Sequence, residues 1–185
     1  MDILHDAIIF ALNAHNGQTR KAKDKPYILH PLEVCTIAGY LTDDREVIAA
    51  AVLHDVVEDT PVTSAEILQQ FGGRVTRLVN SDSEDKMDYL PSTLTWEIRK
   101  QNTLDILSKA DRDEQIICLA DKLANVRELK RDYELLGDNL WDKFNQKDKK
   151  KHEWYYRSIA DKLTYLKETS CYKEYVSILN ELFAR

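Results

Sequence analysis

Only five glycines and four prolines punctuate 185 residues, so the chain has few places to turn. Scarce breakers together with many Leu, Ala, Glu and Lys favour long helices over a sheet of short strands. The length suits one domain with a real core, spanning residues 1–185. A 43% apolar and 31% charged composition is that of a globular chain rather than a disordered one.

Apolar periodicity and capping residues divide the chain into helices. The first covers Ile3 to Ala14 and ends at His15-Asn16-Gly17. A polar, basic stretch, Gln18 to Lys25, reads as a loop. Pro31 suits the first position of a second helix, continued by Leu32, Val34, Cys35, Ala38 and Leu41. Asp43 or Asp44 caps a third, expected to run unbroken to about Asp59 before Pro61. Thr63-Ser64-Ala65-Glu66 is a capping-box pattern opening a short helix that Gly72-Gly73 closes. Residues 81–91 read as a loop. Longer helices follow at about 92–109 and 113–136, the second ended by Gly137, then two more at about 152–168 and 172–184. The aromatics of Trp154-Tyr155-Tyr156-Arg157 fall at helical spacing and are assigned to packing; His5 and His152 are assigned to the surface.

Several function classes are excluded early. A net charge of −6 argues against a nucleic-acid partner. No stretch approaches the ~18 apolar residues of a membrane span, and the amino terminus lacks the basic region of a signal peptide, so no membrane partner is expected and the location reads as cytoplasmic. Cys35, Cys118 and Cys171 are far apart and form no CxxC pair; they read as small buried hydrophobes in a reduced compartment.

The chemistry concentrates in His54-Asp55 followed by Glu58-Asp59. On a continuous helix, with His54 at zero, Asp55 lies at about 100°, Glu58 at about 40° and Asp59 at about 140°, which puts all four on one face. The apolar run Ala49 to Leu53 turns part of that face inward. Three carboxylates and an imidazole are costly to bury without a compensating cation. Imidazole and carboxylate ligands without thiolates suit Mn²⁺, Fe²⁺ or Zn²⁺ in a non-structural site. A bare HDxxED string would be better read as a solvated helix end. Two further pieces change that balance: His30-Pro31, 24 residues earlier, and Asp121 inside an apolar stripe with Ile116, Ile117 and Leu123. A carboxylate there needs a partner, whether a cation, Lys122 or Arg127. Asn125, one turn on, faces the same way.

In this order the pieces resemble the HD phosphohydrolase superfamily and, more narrowly, the hydrolase domain of bacterial (p)ppGpp alarmone enzymes, especially the stand-alone small alarmone hydrolases. The resemblance is carried by His15-Asn16-Gly17-Gln18-Thr19-Arg20-Lys21, Pro26-Tyr27-Ile28-Leu29-His30-Pro31, Leu53 to Thr60, Phe71-Gly72-Gly73 and Leu119 to Arg127, about two-thirds of the chain. It implies an all-α fold, a single HD-type helical bundle, with a motif-bearing core of about 1–136 and C-terminal helices at about 137–185. It implies four metal ligands, His30, His54, Asp55 and Asp121, with Mn²⁺ as the usual ion. It implies Glu58 and Asp59 as the pair that positions and activates water, Arg20 and Lys21 near the nucleotide, and Asn125 near its sugar or base. Asp85-Lys86 resembles an Asp-Lys pair of the family, which adds Lys86. The implied reaction removes the 3′-pyrophosphate of (p)ppGpp.

The residues agree with that chemistry. A bound divalent ion acidifies water and neutralises phosphoryl oxygens, and Glu58 or Asp59 can carry a proton. In an acidic chain an anionic substrate needs local cations: Arg20, Lys21, Lys23 and Lys25, then Lys86, Arg99 and Lys100. The one clear departure is Glu128, where many long alarmone enzymes carry Ser or Thr. Alternatives are an HD phosphohydrolase acting on another nucleotide, such as a dNMP or NADPH, and a metal-free sensing module. A homo-oligomer is compatible with the sequence.

Overall fold

A computed structural model describes residues 2–20, 24–82 and 92–184. Among them the only strand-like pairing is an isolated antiparallel bridge, Thr19 with Pro26; the rest is helix and connection. The helices are α1 (Ile3–Ala14), α2 (Leu29–Leu41), α3 (Arg45–Leu53), α4 (Val56–Asp59), α5 (Ser64–Asp82), α6 (Ser92–Leu107), α7 (Arg112–Leu136), α8 (Lys149–Lys162) and α9 (Ser170–Leu182), with a 3-10 helix at Gly137–Lys143 between α7 and α8. Among the described residues no helix is long and apolar enough to cross a membrane.

The caps explain most boundaries. Asp2 accepts from the Leu4 N–H at the start of α1, and the chain leaves that helix through His15 and Gly17, whose φ of 78° suits a residue without Cβ. Asp44 accepts from the Glu46 N–H at 3.0 Å. Thr63 and Glu66 form the expected reciprocal cap on α5, and Asp111 with Glu114 does the same for α7. Pro31 is the third residue of α2 rather than its first; its missing N–H still falls among the four that no helical carbonyl could satisfy.

α3 lies at the centre. Val47 and every residue from Ala49 to Leu53 are buried, because α1, α2, α5 and α7 all pack against this helix. The small side chains Ala49, Ala50 and Ala51 allow that close approach from several sides. α7 crosses the same core through Ile116, Ile117, Leu119 and Leu123 and carries α9 on its far side.

Three expectations are corrected. The helix after Asp44 is not continuous to Asp59: it breaks at His54-Asp55 and restarts as α4. The His54 Nδ1 is 2.9 Å from the Ala51 carbonyl, the acceptor that a continuing helix would offer to the Asp55 N–H. Gly72-Gly73 closes the first part of α5 as expected, but no connection follows: a second helical stretch begins directly after it, and it runs into the expected 81–91 loop. Gly72 adopts φ 83° and ψ 172°, outside the helical range, and helix resumes after it through Ser81 and Asp82, carried by buried Val75, Leu78 and Val79. The remainder of the expected 81–91 loop, with Lys86, lies outside the described residues. His152 is buried, 6% exposed. It sits in the first turn of α8, in line with Tyr155 and Ile159, among Trp96, Trp141 and Phe144. Its Nε2 meets the Gln146 carbonyl at 2.8 Å, and burial pushes its pKa down. In the aromatic stretch beside it Tyr155 is buried as expected and Tyr156 is half-buried, but Trp154 is exposed. All three cysteines are buried and free.

One surface network ties the core elements together. Arg74 of α5 donates to Glu46 at 2.6 Å, Asp44 at 2.8 Å and Asp113 at 2.7 Å, joining the starts of α3 and α7. These side chains are more than a third exposed or nearly so, so Arg74→Met should cost about 1 kcal/mol or less. The Arg74 hydrogen bond holds the Asp44 carboxyl below its ordinary 3.8. A depressed carboxylate stabilises the fold above its unfolded pKa and ceases to do so as pH falls through its folded one. The gap between wild type and Arg74→Met in urea midpoint should therefore close at acidic pH.

Candidate metal centre

The site forms where α2, the α3–α4 break and α7 meet. His30 is the second residue of α2, its N–H bonded to the Tyr27 carbonyl. His54 and Asp55 occupy the break, and Asp121 comes from the middle of α7. His30, His54 and Asp121 are buried, and each places one ligand atom within 4.8 Å of the others. His30 Nε2 is 3.1 Å from Asp121 Oδ1 and 3.7 Å from Asp55 Oδ2. His54 Nε2 is 3.0 Å from Asp55 Oδ2 and 3.8 Å from Asp121 Oδ1. The imidazole rings are edge-to-face, 5.3 Å between centroids.

This geometry suits a cation. A carbonyl only accepts, so the bond to Ala51 puts the His54 proton on Nδ1. A neutral ring then presents a lone pair at Nε2, which is buried and without a hydrogen bond, facing two carboxylates that also only accept. In the protein alone a second proton on His54 relieves this: burial lowers its pKa, but Asp55 and Asp121 outweigh burial and raise it to about 10. Asp121 is held well below the usual carboxylate range: burial opposes ionisation, and Lys122, His54 and His30 overcome it. A divalent ion would supply positive charge at the same place, with His30, His54 and Asp121 placed to hold it, and would displace the extra proton.

The other sequence candidates are distributed around this centre. Asp59 and Glu58 are half-buried on α4, and Asp59 is linked to the centre through Tyr27, whose hydroxyl lies 2.6 Å from Asp55 Oδ2 and 2.8 Å from Asp59 Oδ2. Asn125 donates to Asp121 Oδ1 at 2.6 Å and accepts from Arg20 Nη2 at 3.1 Å. Arg20 is paired with Glu128 through Nε at 3.1 Å and Nη2 at 2.5 Å. Lys21 lies outside the described residues. Of the two protein partners considered for Asp121, Lys122 bonds it, whereas Arg127 binds Glu174 and Glu33. Beside the centre, Arg20, Lys25, Leu29, His30, Ala124 and Glu128 line a cleft of about 180 Å³. A larger groove of about 570 Å³ between α6 and α8 is lined by Ile98 and Trp154 and lacks such a cluster among its lining residues.

Tyr27 and Gln18 had no assigned role in the sequence, although both stand in motifs that carry the resemblance. Tyr27 precedes His30 by three residues, a spacing that brings it to the same turn.

A helical protein with a buried imidazole–carboxylate centre fitted to a divalent cation is the class that fold and site define. A model of the HD domain matches residues 7–148, and the chain belongs to that family. It is 39% identical over 133 residues to the guanosine-3′,5′-bis(diphosphate) 3′-pyrophosphohydrolase MESH1 of Xenopus tropicalis, covering 70% of each chain. It is 37% identical over 123 residues to the Haemophilus influenzae protein named guanosine-3′,5′-bis(diphosphate) 3′-pyrophosphohydrolase, covering 65% of this chain but 18% of that one. The chain thus spans under a fifth of the length of such long relatives. A solved structure described as a metazoan ortholog of SpoT that hydrolyzes ppGpp superposes with a TM-score of 0.81 at 24% identity, covering 100% and 98% of the two chains; this likeness is one of fold.

Proposed function

We propose that this chain is a metal-dependent phosphohydrolase that removes the 3′-pyrophosphate of (p)ppGpp, giving GDP or GTP and pyrophosphate. The observation that carries the reading is the buried His54 Nε2, which has no hydrogen bond and faces Asp55 and Asp121. The names of the similar proteins supply the substrate. His30, His54, Asp55 and Asp121 hold the ion, with Mn²⁺ the expected metal. The bound cation lowers the pKa of water and offsets phosphoryl charge.

The chain's own residues do the rest. Asp59 and Glu58 orient the attacking water and carry its proton, one of them returning a proton to the 3′-oxygen as its bond to phosphorus breaks. Arg20, Lys21 and Lys86 take the anionic substrate and Asn125 its sugar or base. The whole of residues 1–185 acts as one domain in the cytoplasm. The test is pyrophosphate release from ppGpp with added Mn²⁺, beside dNMPs, GTP and NADPH. EDTA-sensitive cleavage of ppGpp supports the reading, and metal binding with no turnover of ppGpp overturns it.

One observation favours a different nucleotide within the same chemistry: Glu128 puts a carboxylate in the cleft and already occupies Arg20. Glu128→Gln should weaken that charge-assisted pairing, worth about 1.5–3 kcal/mol. The expected result is a KM for ppGpp lowered by up to about tenfold, with kcat little changed. A raised KM would make Glu128 a substrate-holding group.

A further inference from the structure

The segment before α2 braces Asp59 at two points. Gln18 Nε2 donates to the Asp59 backbone carbonyl at 2.7 Å, and the Tyr27 hydroxyl meets the Asp59 carboxylate. The same hydroxyl meets Asp55 Oδ2, the oxygen that lies closest to His54 Nε2. One O–H group therefore stands between a carboxylate of the metal centre and a carboxylate of the proposed acid–base pair. Its ring is itself fixed. The buried His15 imidazole lies against it, tilted by 32° with centroids 4.8 Å apart, and His15 Nδ1 is 2.8 Å from Gln18 Oε1. The Tyr27 N–H donates to the Gln18 carbonyl at 2.9 Å. His15, Gln18 and Tyr27 thus form a bracket that spans from α1 to α2.

A carboxylate rotates freely about its last bond unless something holds it, and hydrogen bonds to ligand carboxylates set both their orientation and their basicity. We propose that Tyr27 is a positioning residue: its one hydroxyl proton, shared in a three-centre bond between Asp55 Oδ2 and Asp59 Oδ2, holds Asp55 toward the cation and sets the place of Asp59 relative to it. Gln18 is a second brace that reaches Asp59 but not Asp55. The inference rests on the metal-dependent reading of the site. It predicts a division of effects between two variants that a purely structural role would not produce.

Tyr27→Phe removes one oxygen and keeps the ring on His15. It should weaken Mn²⁺ binding by about tenfold and lower kcat for ppGpp by roughly 10–100-fold. Gln18→Leu should lower kcat while leaving Mn²⁺ affinity unchanged. Mn²⁺ affinity is read from the electron paramagnetic resonance signal of the free ion, turnover from pyrophosphate release, and folding from thermal melts in EDTA. Equal Mn²⁺ affinity in wild type and Tyr27→Phe overturns the proposal, as does an equal loss in both variants or a Tyr27→Phe protein that melts early without metal. If wild type binds Mn²⁺ but leaves ppGpp intact, the substrate reading fails and the affinities alone decide this one. If wild type binds no Mn²⁺, both fall together.

Discussion

Asp121→Ala is expected to reduce pyrophosphate release to background and to remove bound Mn²⁺. Asp121 Oδ1 is the oxygen within 3.1 Å of His30 and 3.8 Å of His54, so its loss opens the centre on the α7 side. The same substitution should destabilise the protein. Asp121 is the bonded partner of the Lys122 ammonium, whose charge is retained despite burial because Asp121 first, then other anions including Asp82, favour it. Removing one member of a buried ion pair costs on the order of 3–5 kcal/mol. Asp121→Asn separates the two effects: it keeps an acceptor for Asn125 and the side-chain volume while weakening the ligand. Steady-state assays, Mn²⁺ titration and thermal melts read all three consequences. A variant with wild-type metal stoichiometry and turnover would remove Asp121 from the centre.

Leu119→Ala carries the second large effect, on stability. Leu119 is fully buried on α7, where that helix packs against α2, α3, α5 and α9. Truncating such a residue costs about 2–5 kcal/mol, a large part of the roughly 5–15 kcal/mol that holds a domain folded. The urea midpoint should fall with an unchanged m-value. Because the ion binds only the assembled centre, Mn²⁺ at a hundred times its Kd should restore about 2.7 kcal/mol. Loss of stability without rescue by Mn²⁺ would mean that the centre does not bridge the helices that this core holds together.

Helix positions were largely legible in the sequence because caps are local chemistry: Asp44, Thr63 with Glu66, and Gly137 each act within a few residues. The misreadings share a cause. The break at His54-Asp55 depends on one imidazole taking the Ala51 carbonyl, and helical periodicity is blind to a competing side chain. Gly72 ends one helical stretch as expected, and helix resumes beyond it and reaches Asp82 because Val75, Leu78 and Val79 are buried there. His152 is buried through contacts that no local pattern encodes, because the aromatic rings that enclose it come from α6 and from the segment after α7. The identities in the centre were legible for a different reason. Imidazole and carboxylates are expensive to bury, so His54-Asp55 after an apolar run and Asp121 inside one signal compensation by charge, whereas His30 enters only through the resemblance to the HD hydrolases.

What the amino-acid sequence determined by itself was the helical class, most helix ends and the residue types available to a cation, since propensity, capping and desolvation cost act over a turn or less. What only the tertiary structure decided was geometry across elements: that His54 Nε2 faces Asp55 and Asp121, that Tyr27 touches both Asp55 and Asp59, and that Glu128 occupies Arg20 from 108 residues away in the chain. Those contacts follow from how α2, α3 and α7 pack, and packing is settled by the fit of the whole core rather than by any local segment.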